Sequence, residues 1–406
     1  MQLENIRTGV PADSPTAGPA AGWILSVLRR LRQGRLDVTL PGGETQAIVG
    51  EEPGPQGELV LHRPVRLALR LLARGDLGLG EGFVAGDWDA RRPADTLGVL
   101  ALNETAFRVA RGRLARLADR LQHRWRRNDR RGSRRNVAAH YDLGNDFYRL
   151  WLDPGMTYSA ALFAEPGEPL EQAQGRKYDA VLDRLGARPG EHVLEIGCGW
   201  GGLAERAARR GLRVTGVTLS HAQLEYARAR LEAAGLADRV ELRLQDYRDI
   251  AETFDHVVSI EMFEAVGEAY WPAYFAALRR CLRPGGRASL QVITIAEDAF
   301  DAYRRDADFI QKHVFPGGML PAVSAFDAAA ADAGLVVAER SFHGTDYADT
   351  LRRWDAAFRA REAQIDALGY DARFRRLWRY YLAYCEAGFR TGRIDLMQVG
   401  LTRADA

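Results

Sequence analysis

The chain has 406 residues, of which 47% are hydrophobic, and carries a formal net charge of +2. This length allows two domains, or one large domain with an appendage, and the charge favours no particular class of partner. No apolar run approaches the roughly twenty residues of a membrane span. The three cysteines are odd in number and lack metal-ligand spacing, so they predict a reducing, cytoplasmic compartment without structural disulfides or bound metal.

The first hundred residues predict a small amino-terminal unit. Residues 1–21 are rich in Pro, Ala and Gly and lack a signal-type apolar core, so we expect them to be disordered. An amphipathic helix is predicted next, followed by short strands, at residues 23–32, 35–40, 45–49 and 58–61. The glycine-dense segment 77–89 favours a packed turn between helices over a functional loop. Residues 22–103 are therefore predicted to form a small α/β domain.

An arginine-rich segment follows this unit. Between residues 108 and 136 the chain carries twelve arginines and only two aspartates. Such a run suits anionic lipid headgroups or nucleic acid, and it is equally typical of a solvated helix. We predict a helical linker over residues 104–135.

One stretch, residues 193–202, organises the remainder of the chain. An apolar run at 192–196 predicts a buried strand, and the glycines at 197, 199 and 201 predict a tight turn into a helix. A Gly-x-Gly turn lets the backbone approach a ligand, although alone it is weak evidence for any one ligand. Glu195 precedes the turn, and no phosphate-loop lysine lies nearby. We therefore favour S-adenosylmethionine (SAM) over a dinucleotide.

Downstream, strands and helices alternate as a doubly wound parallel α/β sheet requires. Strands are predicted at residues 212–219, 240–244, 255–260, 287–295, 335–342 and 394–401. Ligands bind at the carboxyl ends of such strands, here at 197–201, 218–220, 245–247 and 261–264. The aromatic segments 296–325 and 347–391 are predicted to be helical. They could cover the open edge of the site as an apolar channel, although ordinary core packing accounts for many of their aromatic residues.

Several blocks over residues 136–402 resemble the cyclopropane fatty acid synthase family of SAM-dependent methyltransferases. The blocks are His140-Tyr-Asp-Leu-Gly-Asn-Asp-Phe-Tyr148, Met156-Thr-Tyr-Ser159, residues 193–202, Val217-Thr-Leu-Ser220, Leu244-Gln-Asp-Tyr-Arg-Asp249, Phe263-Glu264, Phe315-Pro-Gly-Gly318 and Tyr381-Leu-Ala-Tyr-Cys-Glu-Ala-Gly-Phe389. Gly80-Glu-Gly-Phe-Val-Ala-Gly-Asp-Trp88 also resembles the amino-terminal domain of longer, phospholipid-acting bacterial members.

The resemblance implies a seven-stranded, Rossmann-like SAM methyltransferase domain with inserted helices over residues 136–406. It places the three turn glycines at the methionine part of SAM, Tyr158 and Ser159 on a lid, and Gln223 at the ribose. Asp246 and Tyr247 would flank the adenine. The remaining residues predicted for the donor site are Glu195, Thr218, Leu219 and Ile260.

The implied reaction is methyl transfer to an alkene, a poor nucleophile that must be held in line with the sulfonium methyl. The resulting carbocation needs a stabilising anion and a proton acceptor in a pocket closed to water. In the family, a bicarbonate ion bound near a Glu, a His and a Tyr serves as the base. Glu264 and Tyr347 match that Glu and Tyr, and Tyr141 is a third candidate catalytic residue.

Four positions depart from the family pattern. Glu261-Met-Phe-Glu-Ala265 replaces the usual Gly-Met-Phe-Glu-His, Ile293 stands at the place of the anion-binding His, and Ala160 replaces a common Cys. Losing an imidazole donor weakens the binding of a small anion, and Glu261 adds unfavourable charge if it faces the site. Ala265 and Ile293 therefore weaken the case for bicarbonate and for ring closure.

A subgroup of the family is similar in Ile260-Glu-Met-Phe-Glu-Ala-Val-Gly267 and Gln291-Val-Ile-Thr-Ile295. That subgroup is associated with methyl-branched chains of the tuberculostearic type. There the cation loses a different proton, which gives an exocyclic methylene for a separate reductase. We favour this outcome over a cyclopropane, and both share the first step.

The predicted function is SAM-dependent methylation of an unsaturated phospholipid acyl chain, by a cytoplasmic protein peripheral at the inner membrane surface. A soluble small molecule or a nucleic acid remains an alternative substrate, with the arginine-rich segment as a phosphate clamp. A non-catalytic SAM-binding scaffold is a third reading. No base-reading motif supports nucleic acid as a partner, and a homodimer is expected.

Overall fold

The computed structural model describes residues 18–107 and 143–404. The chain divides into two compact units, Met1–Gly112 and Arg113–Ala406. Tyr141, the arginine-rich segment at 108–136 and most of the predicted disordered start lie outside the described residues. Among the described residues, no helix is both long and apolar enough to cross a membrane.

The amino-terminal unit packs helices against a small mixed sheet. In chain order its elements are α1 (Pro19–Leu28), β1 (Gln33–Thr39), β2 (Thr45–Val49), β3 (Glu52–Leu61), α2 (Pro64–Arg74), α3 (Asp76–Ala85), β4 (Trp88–Asp89), α4 (Pro93–Leu102) and α5 (Glu104–Phe107). The strand order is β2-β1-β3-β4, with β1 and β3 parallel and the other two pairs antiparallel. Helix α1 thus begins within the stretch predicted to be disordered.

The glycine-dense segment 77–89 is mostly helix rather than the predicted turn. Helix α3 covers most of it and ends at Gly86, whose φ of 74° is left-handed. A Cβ at Gly78 would lie 2.2 Å from the carbonyl oxygen of Arg70, so glycine permits close contact between α2 and α3. Trp88 is fully buried, and its Nε1 donates to the Leu79 carbonyl at 2.8 Å. The glycines here allow the two helices to pack closely. In the sequence they were interpreted as a signal for a turn, so the helix was missed.

The larger unit alternates helices and strands. Its elements are α6 (Asn145–Arg149), α7 (Leu170–Leu185), β5 (His192–Ile196), α8 (Gly202–Arg209), β6 (Arg213–Thr218), α9 (His221–Ala233), β7 (Val240–Leu244), β8 (Phe254–Ile260), α10 (Trp271–Cys281), β9 (Leu282–Ile295), α11 (Glu297–Tyr303), α12 (Phe309–His313), α13 (Val323–Asp332), β10 (Leu335–Phe342), α14 (Gly344–Ala360), α15 (Glu362–Ala367), α16 (Ala372–Arg390) and β11 (Ile394–Arg403).

The described strands of this unit form one sheet in the order β10-β11-β9-β8-β5-β6-β7. Strands β9, β8, β5, β6 and β7 run parallel, whereas β11 lies antiparallel to both β9 and β10. After β5 the chain moves outward to β6 and β7 and then returns to β8 on the other side of β5. Strand order therefore reverses at β5, which makes its carboxyl end the expected ligand crevice.

Helices cover both faces of the sheet, as its apolar strands require. On one side the rings of Phe263, Phe275 of α10 and Phe326 of α13 pack together, with centroids 5.1 to 5.4 Å apart. On the other side, residues of α7 and α8 such as Leu182 and Leu203 pack against β5. Truncating a buried ring such as Phe275 to alanine would cost about 3–5 kcal/mol of stability.

The helical segment predicted over residues 347–391 is divided into α14, α15 and α16. The last break contains Gly369, whose φ is 91°, and Asp371, whose carboxylate caps α16 by accepting from the Phe374 amide at 2.8 Å. A left-handed glycine followed by an Asp cap is a stop and start signal that the apolar spacing alone obscures.

Candidate active site

The glycine turn after β5 is closely packed except at its centre. Gly197, Gly199 and Gly201 all have positive φ, at 86°, 50° and 82°. The amides of Gly197 and Cys198 both donate to the Val217 carbonyl at 3.0 Å, which ties the turn to β6. A Cβ on Gly201 would lie 3.0 Å from the Ala227 Cβ, whereas a Cβ on Gly199 would meet no atom within 4 Å. Open space therefore lies against the backbone at Gly199.

Glu195, two residues before the turn, is buried with an unused acceptor. Its side chain is 4% exposed, and Oε2 has no hydrogen-bond partner among the described residues. Burial raises the pKa of Glu195 to about 8. A buried carboxylate oxygen without a donor is costly unless a ligand supplies one. The ammonium of an amino-acid moiety such as that of SAM would satisfy it, so the residues present fit this donor.

The ends of the next two strands carry the other predicted donor residues. The Thr218 hydroxyl donates to the Gln223 amide oxygen at 3.1 Å, and Ser220 caps α9 by accepting from the Gln223 amide N–H at 3.3 Å. These contacts fix the orientation of Gln223. Leu219, which lies between Thr218 and Ser220, is half-buried. Asp246 is 2% exposed and accepts from Arg248 with both carboxylate oxygens, at 2.8 and 2.6 Å.

The adenine side of the predicted site is therefore partly occupied by an ion pair. Tyr247 follows Asp246 and packs its ring 5.5 Å from that of Tyr274, while burial raises the pKa of Tyr247 to about 12. Ile260 ends β8 and is half-buried. The predicted residues from 195 to 260 thus follow or end four neighbouring parallel strands, and they are brought to one edge of the sheet.

An irregular segment at residues 153–164, called the strap below, precedes α7 and carries Tyr158 and Ser159. The Tyr158 hydroxyl hydrogen-bonds the Tyr381 hydroxyl at 2.8 Å, and its ring lies 5.4 Å from Trp354. Ser159 accepts at Oγ from Lys177 Nζ at 2.6 Å and at its carbonyl from Gln174 Nε2 at 2.8 Å. Both Ser159 oxygens therefore face α7 in this structure.

Glu261 is the centre of a hydrogen-bond cluster. Its Oε1 accepts from the Ala160 amide at 2.8 Å and from Gln291 Nε2 at 2.7 Å, and its Oε2 accepts from the Tyr347 hydroxyl at 2.6 Å. Burial raises the pKa of Glu261, and these three hydrogen bonds lower it. The φ of Glu261 is 48°, which is uncommon for a non-glycine residue. The glycine usual at this family position adopts such a φ without strain, so here a carboxylate is added to that backbone conformation.

Glu264 lies beside this cluster with one oxygen unused. Its Oε1 accepts from the Ile293 amide at 2.5 Å, and its Oε2 is buried without a hydrogen-bond partner among the described residues. Burial, together with the charge of Glu261, raises the pKa of Glu264 to about 8. The predicted pair of Glu264 and Tyr347 is thus brought to one place, but Tyr347 hydrogen-bonds Glu261 instead.

Aromatic side chains from α14, α16 and the turn after α6 surround the strap. Trp151, Tyr158, Trp354 and Trp378 form neighbouring pairs with ring centroids 5.4 to 5.7 Å apart. The helices predicted to cover the site do supply aromatic residues to this region, since Tyr381 of α16 contacts Tyr158. Phe389 also stacks on Tyr347 at 4.5 Å.

Sequence reasoning missed two functional candidates and undervalued a third. Lys177 and Gln291 are both 0% exposed, although helix and strand patterns give no sign that these polar residues point inward. The departure of Glu261 from the family glycine was the available signal for its position. The sequence predicted unfavourable charge there, whereas the structure surrounds that charge with three donors.

A seven-stranded sheet of this order, with a glycine turn at the point of strand reversal, defines a SAM-dependent methyltransferase fold. The family model for mycolic acid cyclopropane synthetase matches residues 128–399. The chain therefore belongs to this family, whose members modify fatty acyl chains, and it is a SAM-dependent methyltransferase.

Individual relatives agree with this assignment. Tuberculostearic acid methyltransferase UfaA1 of Mycobacterium tuberculosis is 43% identical over 355 residues, which cover 85% of this chain and 83% of that protein. Cyclopropane-fatty-acyl-phospholipid synthase of Escherichia coli K12 is 36% identical over 347 residues, covering 82% and 85%.

Among solved structures, mycolic acid cyclopropane synthase CmaA1 complexed with SAH and CTAB superposes with a TM-score of 0.63 at 33% identity. The match covers 66% of this chain and 98% of that one. The family, the fold and the methyl donor predicted from the sequence are confirmed.

Proposed function

We propose that this enzyme transfers the SAM methyl group to the double bond of an unsaturated acyl chain carried by a phospholipid. The names of the tuberculostearic acid methyltransferase and the cyclopropane-fatty-acyl-phospholipid synthase support this substrate class. The observation that carries the proposal is the pair of carboxylates, one held by three donors and the other with a free oxygen. An alkene methylation needs an anion near the cation and an acceptor for one proton, and these two groups can divide that work.

The donor side follows from the turn after β5. Glu195 Oε2 would accept from the ammonium of SAM, and the backbone at Gly199 leaves room for its methionine part. Bound there, SAM supplies a methyl group made electrophilic by its sulfonium charge. Gln223, Asp246 and Tyr247 at the ends of the following strands would hold the nucleoside.

On the acceptor side, Glu261 would stabilise the acyl cation and Glu264 would take its proton. Three hydrogen bonds orient the Glu261 carboxylate and keep it from rotating onto the cation. Glu264 Oε2 is buried without a hydrogen-bond partner in the part of the chain that the structure describes, and a pKa raised to about 8 suits Glu264 to accepting a proton. Tyr347 acts through Glu261, and Tyr141, outside the described residues, remains a candidate from the sequence alone.

Bicarbonate does not fit this arrangement. The Ala160 amide and the Tyr347 hydroxyl already donate to Glu261, and the Ile293 amide already donates to Glu264. Ile293 and Ala265 also lack the imidazoles that the family places at those positions. We therefore assign the anion role to the Glu261 carboxylate and derive no step through bicarbonate.

We further propose that the product is an exocyclic methylene. Once the methyl group is attached, a hydride shift to the neighbouring carbon moves the cation to the methyl-bearing carbon, and loss of a methyl proton then forms the new double bond. Loss of that proton without the shift would close a cyclopropane instead. The resemblance to the tuberculostearic acid methyltransferase supports the methylene, which a separate reductase would saturate.

Work at a membrane surface is supported by α2 of the amino-terminal unit. Val65, Leu69 and Leu72 are 61%, 63% and 49% exposed and share one helix face, while exposed Arg66 borders them. An apolar stripe beside basic residues is typical of helices that lie in a lipid interface. We propose peripheral binding through this stripe, and a homodimer remains a proposal from the sequence.

The test is incubation of the protein with SAM and vesicles of an oleoyl phospholipid, followed by mass spectrometry of the fatty esters. We expect a gain of one methylene unit and vinylidene proton signals by NMR. Absence of any gain on unsaturated lipids, by protein that binds SAM, would overturn the proposal. Glu264→Gln is the matched inactive control, since it preserves shape and removes the base.

A further inference from the structure

Lys177, on α7, is a buried cation that the reaction described above does not use. Its side chain is 0% exposed, and its ammonium donates to Ser159 Oγ at 2.6 Å and lies 4.0 Å from the ring centroid of Tyr178. Among the described residues it forms no ion pair within 4.0 Å. Burying an ammonium on a neutral acceptor is costly, so its surroundings must compensate its charge.

Three acidic groups from different parts of the fold offset part of that cost, although burial still lowers the pKa of Lys177 to about 8. Glu261 follows β8, Asp153 begins the strap, and Glu195 lies in β5, and each interacts electrostatically with Lys177. Tyr178, the titratable neighbour on the same helix, donates its hydroxyl to Thr157 at 3.3 Å. Lys177 is therefore a positive charge that acts both on Glu195, on the donor side of the site, and on Glu261, on the acceptor side.

The same side chain is connected to Glu261 through the strap. Gln174 and Lys177, one helical turn apart, both bind Ser159, at its carbonyl and its hydroxyl. The next residue, Ala160, donates its amide to Glu261 Oε1 at 2.8 Å. Moving Ser159 would therefore move one of the three donors that hold the Glu261 carboxylate.

We infer that Lys177 is a positioning residue for methyl transfer, which fixes the Ala160 amide on Glu261 through Ser159. This inference rests on the proposed function. The ammonium attracts the negative form of Glu261 and so lowers the pKa of that carboxyl, against the burial that raises it.

The experiment compares wild type, Lys177→Met and Lys177→Arg for turnover of SAM on oleoyl phospholipid vesicles at pH 7. Met keeps the length and removes the charge, whereas Arg restores it. For Lys177→Met we expect kcat at pH 7 to fall at least about tenfold, with KM for SAM changed less than about threefold. We also expect Lys177→Arg, which restores a charged donor to Ser159, to recover most of the lost kcat. Arg176→Met, an exposed position on the same helix, should match wild type.

Unchanged kcat in folded Lys177→Met, or a lost kcat that Lys177→Arg does not recover at all, would overturn the inference. If Lys177→Met does not fold, Ser159→Ala replaces it, because it breaks the hydrogen bond and leaves the charge. Ser159→Ala should lower kcat severalfold, and a wild-type kcat would overturn the inference. A wild-type enzyme inactive on every unsaturated lipid would instead reject the proposed function, before any variant is compared.

Discussion

The Tyr347 hydroxyl donates to Oε2 of Glu261 across 2.6 Å, and this contact joins α14 to the turn after β8. The other oxygen of Glu261 is held by the Ala160 amide and by Gln291. A carboxylate held from three sides has little freedom to reorient, so its charge is in place before any cation forms. The residue that departs most from the family pattern is thus also the most constrained acid in the site.

Substituting Gly199 tests the donor site. Gly199→Ala would place a methyl group in open space at a φ of 50°, which costs about 1–2 kcal/mol of backbone strain but creates no clash, so the protein should still fold. We expect the dissociation constant for SAM, measured by calorimetry, to rise at least about tenfold, with a fall in melting temperature no larger than that of the control below. Gly235→Ala is the matched control, because its φ is 68° with equally open surroundings, away from the strand ends. Tight SAM binding by Gly199→Ala would show that SAM does not bind against the backbone at Gly199.

The pH dependence of stability tests the environment of Glu264. Its pKa is about 8 when folded and near 4.5 as a free side chain, so between these pH values the folded chain binds more protons. Stability contributed by Glu264 therefore falls as pH rises from about 4.5 to 8. Glu264→Gln should unfold at a higher temperature than wild type near pH 8, and the difference should shrink towards pH 5. A difference that does not vary with pH would contradict the burial described for Glu264.

Much of the fold could be predicted because its signals are local. Apolar β-branched runs bounded by glycine identify the strands around residues 192–196 and 255–260, and alternation with helices then fixes a doubly wound sheet. The antiparallel direction of β11 depends instead on long-range pairing with β9 and β10. The helix at α3 was missed because its glycines are used for contact with α2, which only the packed structure reveals.

The donor site could be predicted from topology, since parallel strands bring their carboxyl ends to one edge. The acceptor side could not be predicted to the same degree. Gln291 and Lys177 are polar residues at inward positions, and the inward face of a strand or helix is assigned from apolar residues. Both side chains hydrogen-bond groups distant in sequence, Gln291 to Glu261 and Lys177 to Ser159. No local sequence pattern therefore predicts that they are buried.

The exposed stripe on α2 gives a prediction about membrane binding. Leu69→Glu introduces a charge at the centre of the stripe, where the side chain is 63% exposed, so folding should be unaffected. Sedimentation with vesicles containing anionic phospholipid should show binding weakened about tenfold or more. Val49→Glu, 65% exposed on β2 and outside the stripe, is the control and should bind like wild type. Equal loss in both variants would indicate a general charge effect, and no loss in Leu69→Glu would exclude the stripe.

The central claim is that Glu261 supplies the anion that the family takes from bicarbonate. The most direct measurement is turnover of SAM on oleoyl phospholipid vesicles in buffer freed of carbon dioxide, with and without added bicarbonate, for wild type, Glu261→Gly and Glu261→Gln. We expect wild type to be indifferent to bicarbonate and Glu261→Gly to lose about a hundredfold in kcat, part of which added bicarbonate restores. Glu261→Gln fills the space and should not be rescued. Wild-type activity that requires bicarbonate, or Glu261→Gly that works as well as wild type without it, would contradict the account.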